Sequence, residues 1–322
     1  MSAPVVGRFA PSPSGYMHWG NLLAMLLAWL DCRSQNGELI FRMEDLDPAR
    51  SKPRYIEALG ADLRWLGLDW DRGWPEPGSA QSQRTALYEE AFRYLYKKEL
   101  VYPCWCSRSE RLAAASAPHP GEQEFDPGCR CAHLSAAERE ARMRERRPAW
   151  KLRCPDRVIE VADGHYGPVR QNPAREIGDF LIRRADGIFA YQLAVSVDDW
   201  LMGVTRVVRG RDLLASAPRQ KWLIETLGGI APAYCHTPLL VDGRGKLSKR
   251  CGSQSTERLR QSCRPEEVIG RLAYLSGLTD RDEPCTAREL IPAFSWDKVR
   301  REDIQTEPGA ADPDGLPRRG RD

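Results

Sequence analysis

The chain has 322 residues, 42% hydrophobic and 29% charged, enough for a sizeable buried core in one large or two ordinary domains and too apolar for intrinsic disorder. Its longest apolar run, Leu22 to Leu30, has nine residues, about half of the ~20 that a bilayer-crossing helix needs. A formal charge of +3, from 48 Lys and Arg against 45 Asp and Glu, excludes a globally basic nucleic-acid binder and leaves a basic face open.

In chain order, a short apolar stretch from Val5 to Phe9 precedes a Pro/Ser/Gly loop over Ala10–Gly20, then a helix-like run from Asn21 through Cys32. Asn36-Gly37 turns the chain, and Glu38–Met43 alternates around Ile40 and Phe41. The opening therefore reads as a βαβ unit with a parallel pair, which binds ligands where the first loop meets its helix. Ile56, Leu59, Leu63 and Leu66 recur at helical spacing, and a further helix is predicted over Gln83–Lys98. The stretch Cys104–Arg147 changes character: four cysteines, a Pro/Gly-rich middle, and the capping-box pattern Ser135-Ala-Ala-Glu138 opening a highly charged helix. It reads as an insertion. Strands are expected over Val158–Val161 and Val204–Val208, and a hairpin from Phe180–Arg183 and Ile188–Leu193 through Asp186-Gly187. Pro218–Leu227 reads as a helix and Leu239–Val241 as a short strand, followed by the polar loop Asp242-Gly-Arg-Gly245, a small helical region and a tail without periodicity.

The N-terminus Met-Ser-Ala-Pro-Val-Val has neither the basic opening nor the apolar stretch of a secretory signal, so a cytoplasmic protein is expected, with no membrane partner. Ten cysteines are too sparse for a disulfide scaffold; in a reducing compartment, clustered ones point to metal. Cys104-Trp-Cys106 and Cys129-Arg-Cys131 supply four thiols, the number a closed tetrahedral zinc site requires, although Cys-x-Cys pairs also occur as unligated thiols.

Two segments carry the chemistry. His18-Trp-Gly20-Asn21 puts an imidazole and a glycine just before a helix whose first amides would face an anion, an arrangement suited to a phosphate. His18 can donate to a phosphoryl oxygen without changing charge. Lys246-Leu-Ser-Lys249-Arg250 places three cations and a hydroxyl on a glycine-bearing loop; alone, such a run is weakly diagnostic. No Gly-x-x-x-x-Gly-Lys-Ser/Thr is present.

Together and in this order, the two segments resemble the HIGH and KMSKS signatures of class I aminoacyl-tRNA synthetases. The likeness extends through Arg8-Phe-Ala-Pro-Ser-Pro-Ser-Gly15, Phe41-Arg-Met-Glu44-Asp-Leu-Asp-Pro48 and Val207-Val-Arg209-Gly-Arg-Asp-Leu-Leu214, and marks the glutamyl group. Asn21 stands where the HIGH pattern has its second histidine, and Trp19 where isoleucine is usual. Only 72 residues follow Arg250, and Ile188-Phe-Ala-Tyr191-Gln192-Leu-Ala-Val195, read as a strand, looks like the version in the truncated branch of the group, the glutamyl-Q tRNA(Asp) synthetases.

The resemblance implies an α/β fold: a Rossmann-type catalytic domain over 1–103 and 148–245, a zinc-bearing acceptor-binding-like insertion over 104–147, a KMSKS-like loop and small helical region over 246–300, and a disordered tail over 301–322. No anticodon-binding domain is expected. The implied activity is tRNA-independent activation of L-glutamate by ATP with Mg²⁺, then transfer to queuosine at the wobble position of tRNA-Asp; DNA is not an expected partner. His18 and Lys249 would be catalytic; His18, Gly20, Asn21, Lys246 and Lys249 would hold ATP. Glutamate would be held by Arg8, Phe9, Ala10, Pro11, Ser12, Glu44, Tyr191 and Arg209, with the two arginines on its carboxylates and Glu44 on its α-ammonium. The resemblance further implies one structural zinc. Cys104, Cys106 and Cys129 match the branch's ligands, Phe125 stands where it has a ligating tyrosine, and Cys131 is the expected fourth ligand, ahead of His119 and His133. The competing readings are a truncated synthetase charging tRNA-Glu and a non-catalytic, zinc-stabilised RNA-binding module.

Overall fold

The computed structural model describes residues 4–106, 129–242, 245–246, 255–311 and 317–319. Strand β1 (Val6–Phe9) is buried along its whole length, as a parallel strand covered on both faces must be. It pairs in parallel with β2 (Glu38–Phe41), Arg8 beside Ile40. The crossover α1 (Trp19–Arg33) packs on the sheet with one side and on C-terminal helices with another, which accounts for its apolar residues all round. It starts two residues before the expected Asn21 because His18 caps it: Nδ1 accepts from the Gly20 N–H (3.2 Å) and Asn21 Oδ1 accepts from the His18 N–H (3.3 Å). Helix α2 (Pro53–Trp65) leads to the short β3 (Arg72–Gly73), parallel to β2.

Next come α3 (Thr85–Lys97) and β4 (Val101–Cys104). Helix α4 (Ala136–Glu145) opens on the expected capping box, Ser135 with Glu138, and buries none of its residues. Strand β5 (Ala149–Leu152) pairs antiparallel with β4; β6 (Ile159–Asp163) and β7 (Gly167–Gln171) pair antiparallel with each other; α5 (Pro173–Glu176) is a single turn; and β8 (Phe180–Arg183) pairs antiparallel with β5. The expected hairpin after β8 is cut short after its turn. Gly187 does turn the chain at φ 93°, but the return is one bridge, Phe189 opposite Arg183, and from Tyr191 the chain is helical as α6 (Tyr191–Leu201). Leu193 to Val197 is a fully buried run, and such a run carries no period that separates strand from helix.

Strand β9 (Arg206–Gly210), α7 (Ala217–Thr226) and β10 (Ala233–Thr237) complete the centre: β10 pairs in parallel with β9 and, at Tyr234, with β6. Strand β9 abuts β1, where the Thr205 N–H donates to Val6 O (2.9 Å) and the Val6 N–H to Thr205 Oγ1 (2.8 Å). Across this join the order is β3-β2-β1-β9-β10-β6-β7, a doubly wound arrangement that reverses between β1 and β9. Ligands of such sheets sit outside the strand ends at the reversal.

Strands β11 (Leu240–Asp242) and β12 (Gly245–Lys246) form a short antiparallel pair, followed by α8 (Thr256–Ser262), α9 (Pro265–Ser276) and α10 (Ala287–Leu290). Of the tail expected to lack structure from 301 onward, Ile304–Ala311 forms strand β13, parallel to β11 and antiparallel to β14 (Pro317–Arg319), while 312–316 and 320–322 lie outside the described residues. Edge pairing supplies backbone partners that side-chain periodicity does not announce. Among the described residues, no helix is long and apolar enough to cross a membrane.

Candidate active site and cysteine cluster

The reversal between β1 and β9 opens into a cavity of ≈ 470 Å³. Ten of the residues singled out in the sequence line it together: Arg8, Ala10, Pro11, Ser12, His18, Gly20, Asn21, Glu44, Tyr191 and Arg209. They come from the end of β1 and the loop behind it, the start of α1, the segment after β2, the start of α6 and the end of β9. Phe9 is the exception. Strand alternation turns its side chain away from Arg8 into the core, where it is fully buried edge-on to Phe41, so it is no wall of this cavity. Lys249 lies outside the described residues, and of Lys246 only the backbone, in β12, is described.

His18 is held in one tautomer. Because Nδ1 accepts from the Gly20 N–H, the proton of the neutral ring sits on Nε2, where it can be donated. Asn21 Oδ1 is engaged by the His18 N–H, which leaves the amide NH₂ for any outward contact. A Cβ on Gly20 would come within 3.1 Å of His18 Cε1 and 3.3 Å of Nδ1. Glycine at this position therefore keeps the imidazole where the cap sets it.

Behind the cavity lies a buried ion network that motif reading missed. Arg42, fully buried, reaches Asp199 (2.7 Å), Glu44 (3.1 Å) and Asp198 (3.8 Å). Arg8 lies 3.6 Å from Asp199 and donates from Nη1 to Val208 O (2.8 Å). Asp198 also receives Arg84 (2.7 Å), Gln81 (2.8 Å) and the Tyr88 hydroxyl (2.8 Å). Burial works against the charge of Arg42, but Asp199, Asp198 and Glu44 together hold its pKa above the ordinary value. Burial raises Glu44, against Arg42 and Arg8, and raises the Tyr191 hydroxyl; it lowers Arg8, which Asp199 partly offsets. The available signal was two consecutive aspartates ending an apolar run, Val195-Ser-Val-Asp198-Asp199, a place where charge is tolerated only when paired.

Arg209 differs from these cations. Among the described residues no carboxylate lies within ion-pair reach of it; Nε donates to His236 Nε2 (3.1 Å), Nη1 to Gln220 Oε1 (2.7 Å) and Nη2 to Leu213 O (3.2 Å). Three arginines, 8, 42 and 84, face three carboxylates, 44, 198 and 199. Arg209 thus touches only neutral acceptors, the buried Asp163 being reached only through the His236 ring, so its guanidinium can still take a ligand carboxylate.

The profile of class I tRNA synthetases (E and Q), catalytic domain, matches residues 4–305. A glutamyl-Q tRNA(Asp) synthetase of Symbiobacterium thermophilum is 47% identical over 309 residues, 93% of this chain and 95% of that protein. Others so named, from Nitratidesulfovibrio vulgaris and Nocardia farcinica, are 45% and 41% identical over 90% and 98% of this chain. The chain belongs to the glutamyl-Q tRNA(Asp) synthetase family. The crystal structure of a glutamate tRNA ligase from Elizabethkingia meningosepticum in complex with its amino acid superposes on this synthetase with a TM-score of 0.77 at 25% identity, covering 94% of this chain and 67% of that one. The family is thus a class I ligase with an α/β catalytic domain, in line with the resemblance read from the two signatures.

Away from the cavity, Cys104, Cys106, Cys129 and Cys131 converge, all four sulfurs lying within 4.8 Å of one another. Sulfur separations of 3.4 Å (104–129), 3.3 Å (106–129) and 3.7 Å (106–131) approach the ~3.8 Å edge of a tetrahedron with ~2.3 Å metal–sulfur bonds. Cys104 ends β4, Cys129 caps the turn Arg130–His133 and Cys131 sits within it, so the cluster joins the end of β4 to that turn. A hydrogen bond from the Cys129 thiol, against burial, pulls Cys104 down to about 5. The Trp105 N–H points at Cys131 sulfur (3.5 Å). This set of donors fits a metal ion. His133, an alternative ligand, is exposed and outside the cluster; Phe125 and His119 lie outside the described residues.

Proposed function

We infer that this synthetase activates L-glutamate with ATP, without tRNA, to glutamyl-adenylate and pyrophosphate, and then transfers the glutamyl group to queuosine at the wobble position of tRNA-Asp. The observation that carries the first step is a single cavity holding both the unmatched cation Arg209 and the capped imidazole of His18. An α-carboxylate oxygen of glutamate attacks the α-phosphorus of ATP, and the bond to the bridging oxygen of pyrophosphate breaks. Arg8 and Arg209 grip the carboxylates; Glu44 takes the α-ammonium, Tyr191 forms a wall, and the Ala10, Pro11 and Ser12 segment flanks the adenylate. His18 donates from Nε2 to a phosphoryl oxygen, Gly20 and Asn21 admit the nucleotide against the helix start, and Lys246 and Lys249 meet the phosphates, with Mg²⁺ arriving on ATP. No protein nucleophile takes part: positioning and charge stabilisation carry the rate. The acceptor is supported by the names of relatives matched over most of their length.

One zinc held by Cys104, Cys106, Cys129 and Cys131 supplies folding energy to the inserted 104–147 subdomain. The catalytic domain comprises 1–103 and 148–245, and the protein works in the cytoplasm with tRNA. Pyrophosphate exchange with glutamate and ATP, without tRNA, tests activation: no exchange above a Lys249→Ala control overturns it. Charging of tRNA-Asp with and without queuosine, beside tRNA-Glu, tests transfer. A product on queuosine-containing tRNA-Asp alone is expected, and one on tRNA-Glu alone refutes the acceptor.

A further inference from the structure

Arg209 is presented to the cavity by neutral acceptors, and one of them is held neutral by geometry. Its Nε always carries a proton, so His236 Nε2, 3.1 Å away, has to accept. The ring's single proton therefore belongs on Nδ1, which lies 2.6 Å from Asp163 Oδ2. Asp163 is itself fixed, its Oδ1 accepting from the backbone N–H groups of His165 (3.0 Å), Tyr166 (2.9 Å) and His236 (3.3 Å). On the other side of Arg209, Gln220 Nε2 donates to Gln192 Oε1 (2.7 Å) and Gln192 Nε2 to Ser216 Oγ (3.2 Å), so the acceptor orientation of Gln220 is also set. Three of the five guanidinium N–H bonds are thus spent on protein; one on each terminal nitrogen is left. Burial favours the neutral ring of His236 against the pull of Asp163.

We propose that His236, oriented by Asp163, is a positioning residue that fixes the Arg209 guanidinium for the carboxylate of bound glutamate. This rests on the proposed role of Arg209. It involves no contact between His236 and substrate. A pair of isosteric variants separates positioning from mere packing: a glutamine at 236 can place an acceptor oxygen where Nε2 stands, whereas an asparagine reaches only the Nδ1 position and can satisfy Asp163 alone.

The experiment is pyrophosphate exchange on the full chain, with glutamate and ATP varied separately, for His236→Gln, His236→Asn, His236→Leu and Arg209→Ala. His236→Asn and His236→Leu should raise the KM for glutamate about 10-fold or more, the scale of one hydrogen bond to a charged group, with the KM for ATP unchanged, and His236→Gln should recover most of that loss. Unchanged glutamate KM in the Asn variant, or equal effects of Gln and Asn, overturns the proposal. Should the Leu variant fail to fold, as judged by thermal melts, the Gln and Asn pair decides alone. An Arg209→Ala enzyme with wild-type glutamate KM would instead refute the role assigned to Arg209, a failure recognisable because it appears without any change at 236.

Discussion

Replacing Arg42 by Met tests whether the buried ion network supports the site. The side chain is fully buried between Asp199 at 2.7 Å, Glu44 at 3.1 Å and Asp198 at 3.8 Å. Asp198 keeps Arg84, Gln81 and Tyr88, and Asp199 keeps Arg8 at 3.6 Å, but Glu44 loses its one ion pair among the described residues. Leaving a buried charge uncompensated costs about 3–5 kcal/mol. For 322 residues the unfolding entropy is roughly 0.7 kcal/mol/K, so Tm should fall by about 4–7 °C. Burial already raises the Glu44 pKa, and losing Arg42 raises it further. The folded variant then binds a proton more readily than the unfolded chain, so its deficit is largest near neutral pH and shrinks as pH falls toward 5. Calorimetric melts between about pH 5 and pH 8 read both effects. A deficit under about 1 kcal/mol, the range of a surface ion pair, or one that grows toward acid, refutes the reasoning.

Gly20→Ala adds a methyl 3.1 Å from His18 Cε1; because alanine outranks glycine in a helix by up to about 1 kcal/mol, melts should show unchanged or raised stability while pyrophosphate exchange drops about 10-fold or more through a displaced imidazole. Elemental analysis should find about one zinc per chain, lost to chelator more readily in Cys131→Ser because a serine hydroxyl does not supply the fourth thiolate; zinc retained equally by the variant removes Cys131 from the ligand set. Both ring nitrogens of His165 are buried without a hydrogen-bond partner among the described residues, the ring lying against Tyr166 and Trp296. Burial lowers its pKa, so stability is lost as pH falls below about 6.5 and the unfolded chain takes the proton. His165→Phe should match or exceed wild-type Tm at neutral pH and flatten that acid slope, and a clear loss of Tm at neutral pH would count against the assignment.

The parts of the site legible in the sequence were those carried by local signals. His18, Gly20 and Asn21 form a cap whose three residues are near neighbours, and the parallel pair of β1 and β2 follows from two apolar runs around one helix. Cys104, Cys106, Cys129 and Cys131 were legible as two pairs, and their convergence needed the fold. Arg42, Asp163, Asp198, Asp199, Gln220 and His236 were missed because each acquires meaning only through partners elsewhere along the chain, as Arg42 does from Asp199 and His236 from Arg209. Phe9 was misplaced by reading a motif as a surface, when a strand shows only alternate residues to either side. Helix α6 was misread for the opposite reason, an apolar run with no alternation to read.

Placement of the two cavity arginines follows from topology more than from either segment. Arg8 leaves the sheet near the end of β1, Arg209 near the end of β9, and these strands are neighbours because the order reverses between them. Every other cation of the inner network is matched by a carboxylate of the chain, so the unmatched one marks where an anion belongs. On the proposed reading, a carboxylate of glutamate takes that place. On the same reading, glutamine in place of glutamate would leave the buried Arg209 guanidinium facing an amide instead of a carboxylate, which disfavours it.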